Sequence, residues 1–184
     1  MQLKNSPERF GAVTKALHWL TSITVIALLC VGIYMVRADK DAGLFKIYGL
    51  HKSFGICVLT ATFLRVLWHV YSKKPPLVAG MVAWERFAAH AGHAFLYLCL
   101  FGMPLSGWAM SSAFGRPVSV FGLGPLPDLV TKNENTAETL GAIHEYLAYA
   151  LIAMIVLHAA AALKHHFVTK DATLKRMLPF GKDK

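Results

Sequence analysis

Charged side chains are scarce in this sequence: Asp, Glu, Lys and Arg make up 16% of its 184 residues, against about 25% in an average soluble domain. Hydrophobic residues account for 55%. A chain so poor in charge and so rich in apolar side chains is neither disordered nor an ordinary water-soluble globule. Acidic residues are scarcer still, 10 against 19 Lys+Arg, giving a formal net charge of +9. Cysteine is also rare. Cys30, Cys57 and Cys99 all lie in apolar runs and form no CxxC pair, so a disulfide framework is excluded. No internal repeat or low-complexity tract is present.

What is abundant is apolar sequence in long stretches. Runs at about 16–36, 51–71, 90–112 and 144–164 each reach the roughly 20 residues that a helix needs to cross a bilayer. They predict an all-α fold, a four-helix transmembrane bundle forming one domain over residues 1–184. The first run is too long for a signal-peptide core, and Arg37 follows it with no small-x-small cleavage pattern, so it is expected to stay in the protein. An N-terminus on the cytoplasmic side puts twelve basic residues inside, among them Lys15, Lys73, Lys74, Lys175, Lys182 and Lys184. The other side then has six: Arg37, Lys40, Lys46, Lys52, Arg116 and Lys132. This bias predicts both termini in the cytoplasm and a basic tail in contact with membrane lipid rather than nucleic acid. The longest connection, 113–143, holds Gly115, Pro117, Gly122, Gly124, Pro125 and Pro127. It reads as ordered turns followed by polar surface from Thr131 to Thr139.

Histidine is the residue most over-supplied. Seven of the nine, His18, His51, His69, His90, His93, His144 and His158, lie in or at the edges of the spans, where polar side chains are costly and point to function. His144 and His158 are fourteen residues apart on the fourth span, which returns them to one helix face with about 21 Å of rise between them. In the predicted topology His18 shares the inner depth of His158, and His51 the outer depth of His144. Two cross-bundle pairs follow, each suited to holding a haem iron from both sides. His90 or His93 would be the substitutes for His158.

Gly55, one turn after His51, and Gly141, one turn before His144, would leave room for a macrocycle, although glycine equally serves close helix packing. Arg65 lies fourteen residues after His51, at the inner depth, where a buried guanidinium needs an anion such as a haem propionate, or a quinone carbonyl; snorkelling to the interface is the alternative. His165 and His166 follow the fourth span. His165, one heptad beyond His158, is the one expected to face the bundle and, with Lys15, to feed protons to an inner site. Outside, Arg37, Lys46, Lys52 and Arg116 would attract a small anion, offset by Asp39, Asp41, Glu138 and Glu145.

Several blocks, in order, are similar to one family. They are Ser6-Pro7-Glu8-Arg9-Phe10-Gly11, Leu17-His18-Trp19-Leu20, His51-Lys52-Ser53-Phe54-Gly55, Ile143-His144-Glu145 and Leu157 through Phe167, continuing to Arg176-Met177. Over nearly its whole length the chain resembles the bacterial cytochrome b561 family. The resemblance implies an inner-membrane cytochrome with two b-type haems, whose iron ligands are His18, His51, His144 and His158, with Trp19, Lys52, Gly55 and Arg65 as cofactor-contacting neighbours. It also implies a superoxide oxidase reaction that passes electrons from periplasmic superoxide to ubiquinone, with Lys15, Trp19, Arg65 and His165 at the quinone. The opening block and the run Arg116–Leu123 are closer to homologues thought to serve a periplasmic lipocalin-like partner. That leaves a quinone-linked electron carrier as the alternative to an enzyme. A histidine-rich bundle that binds metal ions or moves a small solute is the third reading.

Overall fold

The computed structural model describes residues 2–38 and 43–179. Asp39, Lys40, Asp41, Lys182 and Lys184, named above for their charges, lie outside the described residues. Four helices run through the chain: α1 (Ala12–Arg37), α2 (Phe45–Tyr71), α3 (Ala83–Ala113) and α4 (Glu134–Lys164). All four are long and apolar enough to cross a membrane. Among the described residues the one β-type pairing is an isolated bridge between Ser119 and Pro125.

The helices outrun the apolar stretches that announce them, because an apolar run marks only the part of a helix that lies in lipid. The clearest case is α4, which begins at Glu134 and takes in most of the stretch read as polar surface. Asn133 caps it, its side-chain oxygen accepting from the Thr136 N–H at 2.9 Å. Glu134 sits in the first turn, where a carboxylate complements the helix dipole.

Packing is that of a bundle solvated by lipid. Leu20 (66% exposed), Leu98 (63%) and Val156 (62%) point outward, while the interior holds Thr14, Thr21, Ser53, Thr62, Ser106, Ser111 and Ser112 alongside Val25, Val58, Cys99, Leu100 and Leu151. Small side chains let helices approach closely without water to drive them together. Their hydroxyls are satisfied locally: Thr21 donates to the Leu17 carbonyl at 2.6 Å and Thr62 to that of Val58 at 2.7 Å. Closest backbone packing joins α3 to α4, α1 to α2 and α2 to α3. The bundle is therefore two hairpins that share the α2–α3 seam, and α4 meets α1 and α2 largely through long side chains.

Two polar hooks close the ends. At the end where α1 begins and α2 finishes, Asn5 receives the Thr14 hydroxyl and the Gly11 N–H on its side-chain oxygen, both at 2.8 Å, and donates to the Ser72 carbonyl at 2.8 Å. Thr14 in turn accepts the Trp68 indole N–H at 2.9 Å. This hook requires Gly11, since a Cβ there would lie 2.3 Å from the Leu3 carbonyl oxygen. At the opposite end the connection 114–133 is ordered. Leu126 N–H donates to Val118 O at 2.8 Å, the Trp108 indole to Pro127 O at 3.1 Å, and Phe121, Gly122 and Gly124 turn the chain with positive φ.

Candidate haem-binding pairs and a terminal histidine

Each candidate iron ligand comes from a different turn of the bundle, and α4 supplies one member of both pairs. His18 of α1 faces His158 of α4 with ring centres 6.2 Å apart and planes inclined by 57°. His51 of α2 faces His144 of α4 with centres 6.4 Å apart and an inclination of 72°. A metal to imidazole-nitrogen bond is about 2.0 Å and the nitrogen lies roughly 1.2 Å from its ring centre, so imidazoles on opposite sides of one metal would have centres about 6.4 Å apart. The two pairs have that spacing. They also stand at opposite ends of α4, where a fourteen-residue separation puts them.

The surroundings of His144 settle which nitrogen is free. Its Nδ1 lies 3.0 Å from the Met103 carbonyl and 3.1 Å from the Ser106 hydroxyl, both on α3. A carbonyl only accepts, so Nδ1 carries the proton and Nε2 keeps the lone pair that a metal needs. Gly107 makes this possible. A Cβ there would stand 3.0 Å from His144 Cε1 and 3.2 Å from Nδ1. His51 is in the complementary condition, its Nδ1 buried with no hydrogen-bond partner. Open space adjoins Gly55, where an added Cβ meets nothing within 4 Å. Gly141 does different work, because a Cβ there would meet Met110 Sδ at 3.4 Å; it closes α4 on α3. The residues around His51 and His144 would thus suit an imidazole-bound macrocycle.

At the terminal end the pair has company. The His93 ring lies 5.2 Å from that of His158 at 86°, and its Nδ1 is engaged by the Ala89 carbonyl at 2.6 Å. His90 is exposed. Arg65 Nη2 reaches His18 Nδ1 at 3.4 Å, and its guanidinium sits 5.5 Å from the centre of the Tyr97 ring, which Lys74 approaches at 5.9 Å. Burial and the nearby Arg65 charge hold the Lys74 ammonium below its usual pKa. Two cations against one ring form a seat for an anion such as a propionate.

Beyond α4 the chain makes a five-residue π-helical turn, His165–Thr169, and doubles back. His165 is 8% exposed and its Nδ1 lies 2.6 Å from Asp171 Oδ2. The Trp19 indole donates to the Met177 carbonyl at 2.9 Å, and the Trp19 ring stands edge-on to His18 at 5.3 Å. Trp19 and His165 are thereby both tied to the C-terminal segment, while Lys15 lies half-buried on α1. At the opposite end Lys52 Nζ donates to the Arg116 carbonyl at 3.2 Å, and Ser53 Oγ donates to Ser119 O at 3.1 Å and accepts from Phe121 N at 3.0 Å. The residues that follow His51 therefore hold the 114–133 connection down beside it.

The family model for prokaryotic cytochrome b561 matches residues 9–180. The chain belongs to the prokaryotic cytochrome b561 family. It is 41% identical over 179 residues to cytochrome b561 homolog 2 of Escherichia coli K12, covering 97% of this chain and 95% of that protein. It is 38% identical over 173 residues to the probable superoxide oxidase CybB of Yersinia pestis, covering 94% and 97%. Cytochrome b561 homolog 1 of Escherichia coli K12 is 34% identical over 176 residues, covering 93% and 97%. The protein is a multi-pass inner-membrane cytochrome of this b-type haem family and works in electron transfer.

Sequence reasoning passed over Met103, Ser106 and Gly107. Spacing does not reveal them, because they act on His144 from another helix. Asp171 was also passed over, lying beyond the last span among charged tail residues.

Proposed function

We propose that this b561 cytochrome is a single dihaem domain that transfers electrons from periplasmic superoxide to ubiquinone, with both termini in the cytoplasm. The observation that carries the reading is the pair of cross-bundle histidine couples, His18 with His158 and His51 with His144, each at the spacing of two axial imidazoles. Haem held by these histidines would supply one-electron outer-sphere transfer. The 38% identity to the probable superoxide oxidase CybB of Yersinia pestis supports the choice of donor.

The chain's own groups then divide the work. At the outer end, the Lys52 ammonium is held at the Arg116 carbonyl, and Lys52 and Arg116 together add positive charge to that end, which favours the approach of a small anion. His144 is held in one tautomer by Met103 and Ser106. At the inner end, Arg65 and Lys74 offer charge to a propionate or a quinone oxygen, and Lys15, Trp19 and His165 border the quinone. Two superoxide ions each lose one electron and leave as oxygen, while ubiquinone gains two electrons and two cytoplasmic protons to become quinol.

Stopped-flow spectroscopy on purified protein tests this, after a pyridine-haemochrome count. Two haems per chain, reduced by superoxide near the diffusion limit and reoxidised by ubiquinone, are expected. Haems that ignore superoxide yet equilibrate with quinol would make the protein an electron carrier instead. One feature favours that second reading: Leu123 (88% exposed) and Phe121 (50% exposed) crown the ordered 114–133 connection and offer an apolar contact to a periplasmic protein.

A further inference from the structure

The C-terminal segment does more than end the protein. After Lys164 the helix widens into the π-helical turn, and Lys170 adopts a left-handed conformation with φ 58°. That residue reverses the chain, so that Asp171 N–H donates to the His165 carbonyl at 3.1 Å. The reversal returns the Asp171 carboxylate to the imidazole it follows. Oδ2 lies 2.6 Å from His165 Nδ1, and Oδ1 accepts the Thr173 N–H at 2.8 Å. Both oxygens are occupied and both side chains are largely shielded, at 10% and 17% exposure. From α3, Glu85 also faces His165, itself paired with Lys164.

A carboxylate with two acceptor oxygens spoken for can only receive from the imidazole, which places a proton on Nδ1 and leaves Nε2 to exchange. Burial works against the Asp171 charge, but hydrogen bonds from Thr173 and His165 outweigh it and keep the carboxyl below its usual pKa. The carboxylate therefore fixes the tautomer of the imidazole.

We propose that Asp171 is the positioning residue of the proton-delivering histidine: it anchors His165 through Nδ1, so that Nε2 carries each proton from the cytoplasm to the quinone oxygen. This rests on the quinone-reducing role proposed above. In one round, the Nε2–H bond of the imidazolium breaks and an O–H bond forms on the quinone as it is reduced by one electron, which a haem held at the inner pair would supply. His165 is left neutral with Nδ1–H still on Asp171, and Nε2 takes a new proton from cytoplasmic water. Two rounds supply the two protons of the quinol.

The test is Asp171→Asn in the haem-loaded, full-length protein, with Asp171→Glu as the conservative variant. Superoxide should reduce the D171N protein at the wild-type rate, since that reaction belongs to the other end. Its reoxidation by short-chain ubiquinone should fall about tenfold at neutral pH. The pH midpoint of reoxidation should move as the imidazole loses its anchoring carboxylate, with D171E recovering most of both. An independent readout is the imidazole itself: in 15N-histidine-labelled protein, the signal absent from His165→Gln should show Nδ1 protonated in the wild type and a mixed tautomer in D171N. An unmoved pH midpoint together with an unchanged His165 signal would overturn the proposal. Should D171N load haem poorly, the H165Q/D171N double variant decides: reoxidation no slower than in H165Q alone supports Asp171 acting through His165, and a further loss refutes it. A wild-type protein that ubiquinone does not reoxidise would refute the quinone reading and with it the delivery role, while the tautomer signal would still report the anchoring.

Discussion

Gly107 gives the sharpest way to perturb one histidine pair and spare the other. In Gly107→Ala the new methyl would stand 3.0 Å from His144 Cε1 and 3.2 Å from Nδ1, whereas carbon contacts settle at about 3.5 Å or more. The ring must retreat by about half an ångström or push α3 and α4 apart, at an overpacking cost of about 1–3 kcal/mol. That retreat stretches the 3.0 Å bond to Met103 O to about 3.5 Å, beyond useful hydrogen-bond length. A neutral hydrogen bond is worth about 0.5–1.5 kcal/mol, which bounds the change in that iron's potential at roughly 20–60 mV for one electron. The sign follows from the ligand: an imidazole that donates less through Nδ1 is less basic, so the reduced iron is favoured and the potential rises. Optical redox titration is the assay, with Gly49→Ala as control because a Cβ there meets nothing within 4 Å. One component should move up and the other stay. Two unmoved components in a folded G107A protein would refute the account of how His144 is held.

His51→Ala and His144→Ala should each remove one and the same haem, and His18→Ala and His158→Ala the other, by pyridine-haemochrome count and redox titration; His93→Ala should keep both. Ser53→Ala deletes the bonds to Ser119 and Phe121, so the 114–133 connection should become more open to protease by about 1–3 kcal/mol of local stability, with haem content unchanged. Gly11→Ala should lower the thermal midpoint markedly, because the methyl would strike main-chain atoms that cannot swing aside. The Asp171 carboxyl is held below its usual pKa, so its contribution is complete above the unfolded value of about 4 and is lost as pH falls through the folded value. Hydrogen exchange across 170–178 should therefore accelerate only in acid below that range.

The histidine pairs were legible because they depend on backbone arithmetic: fourteen residues on a helix fix both face and depth, and topology supplies the partner. Arg65 was legible for a similar reason, as a lone cation deep in an apolar run. Met103, Ser106 and Gly107 were hidden because their contact with His144 depends on how α3 is rotated against α4, which no spacing within one helix encodes. Gly55 and Gly141 read alike in sequence, yet one borders open space and the other meets Met110. Asp171 was hidden by a left-handed residue and a widened turn, neither of which has a periodicity. The start of α4 was missed because Glu134 to Thr139 is polar, and polarity there records exposure beyond the lipid rather than the absence of helix.

Because α4 contributes to both pairs, its place in the chain orders the making of the protein. The last of the four helices to be synthesised supplies a member of each pair, so a product that stops before α4 contains neither. Haem held by these pairs would therefore be captured only after α4 has joined the bundle, and a haem spectrum would report that α4 is in place.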